Sequence, residues 1–530
     1  MTIGLVFTTA APPAPPAPNR TDIAFFAGFV ARRRGVRLPA TVLAELAAAG
    51  WKDGPWRRSE AALDTALQLP ITIESWDAFD ALFAWEARPL RAGGGSCTTY
   101  LGAAIRSFFA NGGRRAIVVR AGDPWPFIED GKHRADERRD RIRALLPGFA
   151  DAAAMPFDPL TPSSWRGLHH LYGIADATLV VLPDLPDACA SEPVPAPAQR
   201  DPPTPPEGFV ECSEDEPAPI EDTGITRLPA PRSDSAGYAA WGLAAAGVRD
   251  FLARHRRDCL FIGALPLPDG DNRRPGVEGA VYAESELLAY LRRVNVLEDE
   301  DVRVAPAATA ASAFIQLGWP WLATRRSADL PEGLEPPDGM ISGVIAASAL
   351  ARGTFRSIAG TALPDVVSGT PVPQWGFGAS SPGVALAERV CVIAREPDGW
   401  TLVSDVTTSP DPAWRQGGVS RLVASVLRAA RRLGEGVVFE PNGPVLWSRL
   451  TRSMQELLAD YWREGGLRGE TSADAFDVRC DRSTMSQNDL DAGRLIAHVT
   501  VVPASSIERI VIVLALEAGS AASVQLRAVA

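Results

Sequence analysis

Lysine is nearly missing from this chain. Lys52 and Lys132 are the two in 530 residues, so almost all positive charge is arginine. Cysteine is sparse and scattered: Cys97, Cys189, Cys212, Cys259, Cys391 and Cys480 contain no CxxC pair. That spacing excludes a zinc ribbon and suggests no disulfide framework. Synthesis in a reducing cytosol is the matching expectation. Long apolar runs are missing too. Ile510–Leu516, the longest near the C-terminus, has seven residues, whereas a spanning helix needs about twenty, so no membrane insertion is expected. The opening MTIGLVFTTAAPPAPPAP has no basic region ahead of its short apolar stretch, which argues against a secretory signal. There is no basic excess: the net charge is −11 and the pI about 5.2. Nucleic-acid binders normally carry a net basic face, so nucleic acid is not an expected partner.

The motifs of common chemistry are equally short of parts. Gly131-Lys132 has Pro126 where a P-loop places its first glycine. Gly93-Gly94-Gly95 follows no hydrophobic strand, so it is not a dinucleotide fingerprint. No GxSxG elbow exists, and Ser380 and Ser381 sit in a Gly/Pro-rich stretch. His169 and His170 are the best metal candidates among the five histidines. Adjacent helical positions point about 100° apart, however, so a packing role is expected for both. Asp269-Gly270-Asp271-Asn272 opens like a calcium loop, but its twelfth position is Ala280 rather than glutamate. Asp477, Asp481, Asp489 and Asp491 read as turn and cap residues. No catalytic residue, metal or cofactor is therefore expected.

What is present is enough apolar sequence for large cores, 46% hydrophobic against 22% charged. The length suits about three or four units. Ile3–Thr8 is a short β-like run, and Pro12, Pro13, Pro15, Pro16 and Pro18 then favour an extended arm over residues 1–20. Residues 21–389 alternate strands with helices. Ile23–Val30, Ile71–Ile73, Ala116–Val119, Thr178–Leu182 and Leu260–Ala264 read as strands, and Trp76–Trp85, Tyr100–Ala110 and Ala239–Arg254 as helices. That alternation predicts a mostly parallel α/β sheet. Ser191–Arg232 interrupts it with eleven prolines, nine acidic and three basic residues, a composition expected to stay solvated and unfolded. Residues 390–506 read as an α+β unit. A hairpin, Val390–Ala394 with Trp400–Ser404, opens it, followed by the helix Val419–Leu433, a strand Val437–Phe439 and the amphipathic helix Pro444–Trp462. Strands Ala475–Cys480 and Leu495–Val501 complete it. Residues 507–530 hold a last strand and an arm.

One cluster of charge stands out. Arg421, Arg428 and Arg432 recur at intervals of seven and four on the Val419–Leu433 helix. The expectation is an exposed basic stripe facing an acidic partner.

Several stretches together resemble the contractile tail sheath family of phage tails and phage-like injection systems. Asp22-Ile23-Ala24-Phe25-Phe26-Ala27-Gly28-Phe29-Val30 resembles the family's first strand, and Ser75-Trp76-Asp77-Ala78-Phe79 its "SWxxF". Arg106-Ser107-Phe108-Phe109-Ala110-Asn111-Gly112-Gly113-Arg114-Arg115 is similar to "RxFFxNGGRR", and Pro336-Pro337-Asp338-Gly339 through Gly343 to "PPSG…AG". Val438-Phe439-Glu440-Pro441-Asn442 resembles "VFEPN", and Trp462-Arg463-Glu464-Gly465-Gly466-Leu467-Arg468-Gly469 resembles "WREGALxG". Ala475-Phe476-Asp477-Val478-Arg479-Cys480-Asp481 and Asp491-Ala492-Gly493-Arg494-Leu495 follow in order. The departures are Ile3–Thr8 in place of the family's Pro-Gly-Val-Tyr strand, insertions around 33–70 and 191–232, and a poor match over Pro364–Ala387.

The resemblance implies a tail-sheath fold: an α/β outer and middle region, an α+β inner domain and terminal arms. It implies a non-enzymatic subunit that polymerises in hexameric rings or a helix around an inner tube and contracts to drive the tube into a target envelope. The partners it implies are further copies, the tube protein, and baseplate and cap proteins. Assembly would occur in the cytoplasm, within a particle that can be released. Arg421, Arg428 and Arg432 would face the tube, while Ile3, Leu5, Phe7 and Ile510, Ile512, Leu514 would lie on strands added to neighbours' sheets. A baseplate- or cap-proximal paralogue is the alternative. An α/β hydrolase-like enzyme is a third class, disfavoured because no nucleophile–base pair is visible.

Overall fold

The computed structural model describes residues 20–528 apart from 55, 92–94, 130–133, 151–159, 194–227, 269–283, 294–295, 298–311, 372–381, 438–439, 505–509 and 517–522. At its centre is a nine-stranded sheet. In chain order its strands are β1 (Ile23–Phe29), β2 (Pro70–Ile73), β3 (Arg115–Gly122), β4 (Leu179–Val181), β5 (Leu260–Ala264), β6 (Ile315–Trp319), β7 (Thr361–Ala362), β8 (Cys391–Glu396) and β9 (Gly399–Leu402). They lie side by side as β7-β9-β8-β6-β5-β4-β1-β3-β2. The six from β8 to β3 are parallel, and antiparallel strands close both edges. Inner strands read as unbroken apolar runs because both faces of the sheet are covered. In β1, Ile23, Phe25, Ala27 and Phe29 enter one core while Ala24 and Phe26 enter the other.

Helices coat both faces. On one side lie α1 (Trp76–Leu82), α2 (Tyr100–Ala110) and, further along the chain, a helix spanning Asp338–Arg352. On the other lie α3 (Arg134–Leu145), the short α4 (Leu185–Cys189) and α5 (Ser235–His255). The Asp338–Arg352 helix is α6. Ser75 caps α1 by accepting from the Ala78 N–H, and Thr99 caps α2 by accepting from Gly102. After α2, Gly112 turns the chain at a φ of +95°, a conformation glycine adopts without strain. The expected Asn111-Gly112-Gly113 stop is therefore where the helix ends.

The C-terminal unit comprises α7 (Gly417–Glu435), α8 (Pro444–Arg463) and an antiparallel sheet, β10 (Phe476–Arg479), β11 (Leu495–Val501), β12 (Ile510–Leu516) and β13 (Ser523–Ala528). Leu446, Leu450, Met454 and Tyr461 of α8 are buried against Val419, Leu422, Val426 and Leu427 of α7 and against β11, forming a third core.

Three expectations are corrected. The hairpin expected to open this unit is β8–β9, which completes the large sheet; the third core starts at Val419 rather than at 390. Val437 lies in a turn, not a strand, and 438–439 fall outside the described residues. The strand carrying Ile510, Ile512 and Leu514 is interior to its own sheet, with β11 on one side and β13 on the other. Its backbone groups are already paired within the chain, so it offers a neighbour no free edge. Ile3, Leu5, Phe7 and residues 194–227 of the acidic proline-rich stretch lie outside the described residues, whereas its end is packed, with Ala230 in the core and Arg232 paired with Glu332.

Candidate functional site

The arginine helix is the place where the two halves of the molecule meet. Apart from Arg421 and Arg428, no charged residue stands between Gly417 and Ala430, and those positions are buried around the whole helix. The helix α7 lies along the ends where the parallel strands begin. Asp258 precedes β5, Asp176 precedes β4, Arg20 precedes β1, and Gln316 is the second residue of β6.

Arg421 is 4% exposed. Its Nη1 and Nη2 meet Asp405 Oδ1 at 2.9 Å and Oδ2 at 2.6 Å. It also donates to Gln316 Oε1 at 3.1 Å and to the carbonyls of Thr354 at 3.2 Å and Arg356 at 3.1 Å. All five of its N–H groups thus have acceptors. Asp405 in turn accepts from Gln316 Nε2 at 2.9 Å and the Ile358 N–H at 3.0 Å. Burial pushes the Asp405 carboxyl up, but the Arg421 charge and these hydrogen bonds outweigh it and hold the group below its ordinary value. A Cβ on Gly417 would stand 2.2 Å from Asp405 Oδ1, so the pair also requires glycine at the helix start.

Arg428 is 2% exposed. It donates to the backbone carbonyls of Arg20 and Asp258, each at 2.7 Å, and its Nε lies 3.5 Å from Asp258 Oδ2. Asp258 is held in addition by Arg256, through Nε at 2.9 Å and Nη2 at 3.1 Å. Arg432 alone of the three is partly exposed, and it pairs with Asp176. The surface stripe expected from the sequence is therefore corrected: Arg421 and Arg428 face inward and dock the helix onto its own sheet. An acidic chain satisfies them internally. Asp405, Gln316, Asp258 and Gly417 are the partners that sequence reasoning missed. The available signal was a helix apolar on every side, in which any charge must find a partner within the fold.

At the opposite, C-terminal ends of the strands, the topology reverses between β1 and β4. In α/β sheets this crevice is where ligands usually bind. Here, among the described residues, the chain's own Asp184 stands in it. Asp184 Oδ2 accepts from the Phe29 N–H at 2.6 Å, and a Cβ on Gly28 would lie 2.4 Å from that oxygen. Asp187, on α4, meets Arg88 at 2.8 Å and Arg134 at 3.0 Å, all three being 2% exposed or less. Asp338, at the start of α6, accepts from the Gly339 N–H at 2.7 Å while its Oδ2 is buried with no partner among the described residues. Burial pushes both Asp184 and Asp338 up to about 7.

The remaining candidates are structural. His170 is fully buried against Trp51 and Trp165, and burial lowers its imidazole to about 3. His169 stacks instead on Phe251 at 6.0 Å, so the two rings do not converge. Asp489 closes a capping box with Ser486 and pairs with Arg494, Asp481 accepts from Ser483, and Asp477 pairs with Arg479. Among the described residues no group of three or more His, Cys, Asp or Glu side chains could hold a metal ion, and no helix is long and apolar enough to cross a membrane.

These features define a class: a multi-unit α/β and α+β chain in which the buried arginines of α7 hold the C-terminal unit to the large sheet. No protein-family model matches it, and no curated protein does. Solved structures do. A chain of the six-fold symmetrised baseplate of the anti-feeding prophage aligns over 96% of this chain and 97% of its own, at 16% identity and a TM-score of 0.52. A chain of the same baseplate in the contracted state aligns over 96% and 95%, at 17% identity and 0.52. A chain of that prophage's helical sheath in the contracted state aligns at 16% identity and 0.49. At such identities the likeness is one of fold, shared almost end to end with a chain of the anti-feeding prophage baseplate.

Proposed function

We propose that this chain is a structural subunit of a contractile tail sheath, polymerising around an inner tube and contracting to drive the tube into a target envelope. The observation that carries the reading is the extent of the likeness, nearly end to end on both chains for a component of a contractile prophage particle. The ordered motifs along the sequence support it independently. So do the buried Asp184 and the Asp187–Arg88–Arg134 pairs at the sheet's switch point, which serve the fold itself. In this reading open, head-to-tail contacts between copies build the helical lattice, and the tube, baseplate and cap proteins are its other partners. The subunit hydrolyses nothing and belongs to a particle rather than to a membrane.

Docking of α7 by Arg421 and Arg428 supports a subunit that shifts as a stiff body. Contraction would then rearrange contacts between subunits while the seam within each stays closed.

Electron microscopy of particles purified from cells expressing this gene with its neighbours tests the proposal. The expected result is tubes in extended and contracted forms, with this chain labelled along the whole shaft. A label confined to one end would instead place it as a baseplate- or cap-proximal paralogue. Its absence from every particle would overturn the reading.

A further inference from the structure

A groove of about 330 Å³ opens beside α7, between that helix and the residues leading into β5 and β6. Val423 and Ala424 of α7 line it together with the aromatic Phe314 and Trp414 and the charged Arg257 and Asp411. Phe314 and Trp414 are half-buried. An aromatic and aliphatic lining matches the chemistry that receives proline-rich segments, whose fixed φ makes them extended with little entropy left to lose.

Such a segment lies next to the groove in the chain. Arg20, the first described residue, has its carbonyl held by Arg428, one helical turn beyond Ala424. The same guanidinium holds Asp258, the neighbour of Arg257. The chain therefore leaves the described structure beside the helix that lines the groove. Residues 11–18, Ala-Pro-Pro-Ala-Pro-Pro-Ala-Pro, end two positions before Arg20. They carry no charge and no long side chain, and as a polyproline II helix they would span about 20 Å. Tethering so close to its site raises the segment's effective concentration to the millimolar range or above, which favours this occupant over the same segment of a second copy.

We propose that residues 11–18 dock in the Phe314–Trp414 groove of their own chain and fix the direction in which residues 1–10 depart. The inference is independent of the sheath reading.

The test is a photo-cross-link in the full-length protein. Benzoylphenylalanine replaces Ala14, and an equal mixture of isotopically light and heavy chains is irradiated, digested and mapped by mass spectrometry. The expected cross-links join position 14 to the peptides holding Phe314, Trp414 or Val423, light to light and heavy to heavy. Trp414→Ala should lower their yield at least fivefold. Ala313→Trp, at the groove's half-buried edge, should do the same by filling the groove, so the test stands even if Trp414→Ala melts early. Cross-links elsewhere, links mainly between light and heavy chains, or no groove cross-link at all would each overturn the proposal.

Discussion

Arg421 and Arg432 lie eleven residues apart on one helix, yet their environments predict opposite outcomes on mutation. Arg421 and Asp405 are 3% and 1% exposed. Removing either partner strands a buried charge, at a cost of about 3–5 kcal/mol. Arg432 and Asp176 are 28% and 55% exposed, and such pairs contribute about 1 kcal/mol or less. Arg421→Ala is therefore expected to lower the urea midpoint sharply, and Arg432→Ala to leave it almost unchanged; equal shifts would refute the seam. A reversal to glutamate at 421 would face Asp405 and prevent folding of the junction. The carboxyls at the other end of the sheet set a pH dependence. Asp184 faces the Phe29 and Leu101 N–H groups, Asp187 and Arg88, while Asp338 faces the Gly339 N–H, Asp184 and Glu335. From an ordinary value of 3.8, burial takes both up to about 7. The folded chain thus holds protons between those values that the unfolded chain releases, so this contribution to stability is full below about pH 4, declines with rising pH and is gone above about 7. Asp184→Asn with Asp338→Asn should flatten the fall in Tm between pH 5 and 8 and raise Tm at pH 8. An unchanged slope would contradict the assignment.

At the scale of elements, α2 and α6 show what the sequence disclosed and what it withheld. The range of α2 was legible to the residue, because Leu101, Ala104, Ile105 and Phe108 repeat at helical spacing and an Asn-Gly-Gly follows. Seven of the nine strands of the large sheet were legible in the sequence, whereas β6 and the two-residue edge strand β7 were not. Which strands pair was not legible either, since pairing depends on contacts far apart in the chain. Gly339 and Gly343 were noticed only as part of a motif. Their physical role is close approach: a Cβ at 339 would lie 2.4 Å from the Ala104 carbonyl oxygen, and one at 343 would lie 2.5 Å from that of Phe108. Both obstacles are backbone, so α6 cannot yield by rotating a side chain. Gly343→Ala is expected to destabilise the chain by about 1–3 kcal/mol, the usual range for overpacking, measured by urea unfolding. Gly360→Ala provides the contrast, because nothing lies near a Cβ there and only the positive φ of +81° is strained. A smaller loss at 343 than at 360 would show that helix spacing is not what the glycine protects.

For the whole molecule, the sequence's charge pattern misled because a surface stripe and an internal seam have the same spacing on a helix. Burial on every side of α7 distinguishes them, and burial depends on where the remote Asp258 and Asp405 fall. The domain edge moved for the same reason, since β8 has Val392 in one core and Cys391 and Ile393 in another, both belonging to the large sheet. These corrections also sharpen where assembly contacts must lie. The strand β12 is paired on both sides within its chain, so Ile510, Ile512 and Leu514 cannot join a neighbour's sheet while that pairing lasts. The terminal run carrying Ile3, Leu5 and Phe7 stays the strand donor of the proposed sheath. The cores begin at Ile23, and Arg428 grips the Arg20 carbonyl, so a deletion meant to probe exchange should stop well before residue 20. Removing residues 1–10 is expected to leave the Tm within about 1 °C of the intact chain, because the three cores among the described residues are built from Ile23 onward. Under the proposed sheath function, the truncated subunit should sediment as a monomer and form no tubes with tube and baseplate proteins, since the proposed main-chain pairing between copies would be lost. Normal tubes from this truncation would show that the lattice is joined by some other surface, whereas a collapse in Tm would show that these ten residues belong to the subunit's own fold.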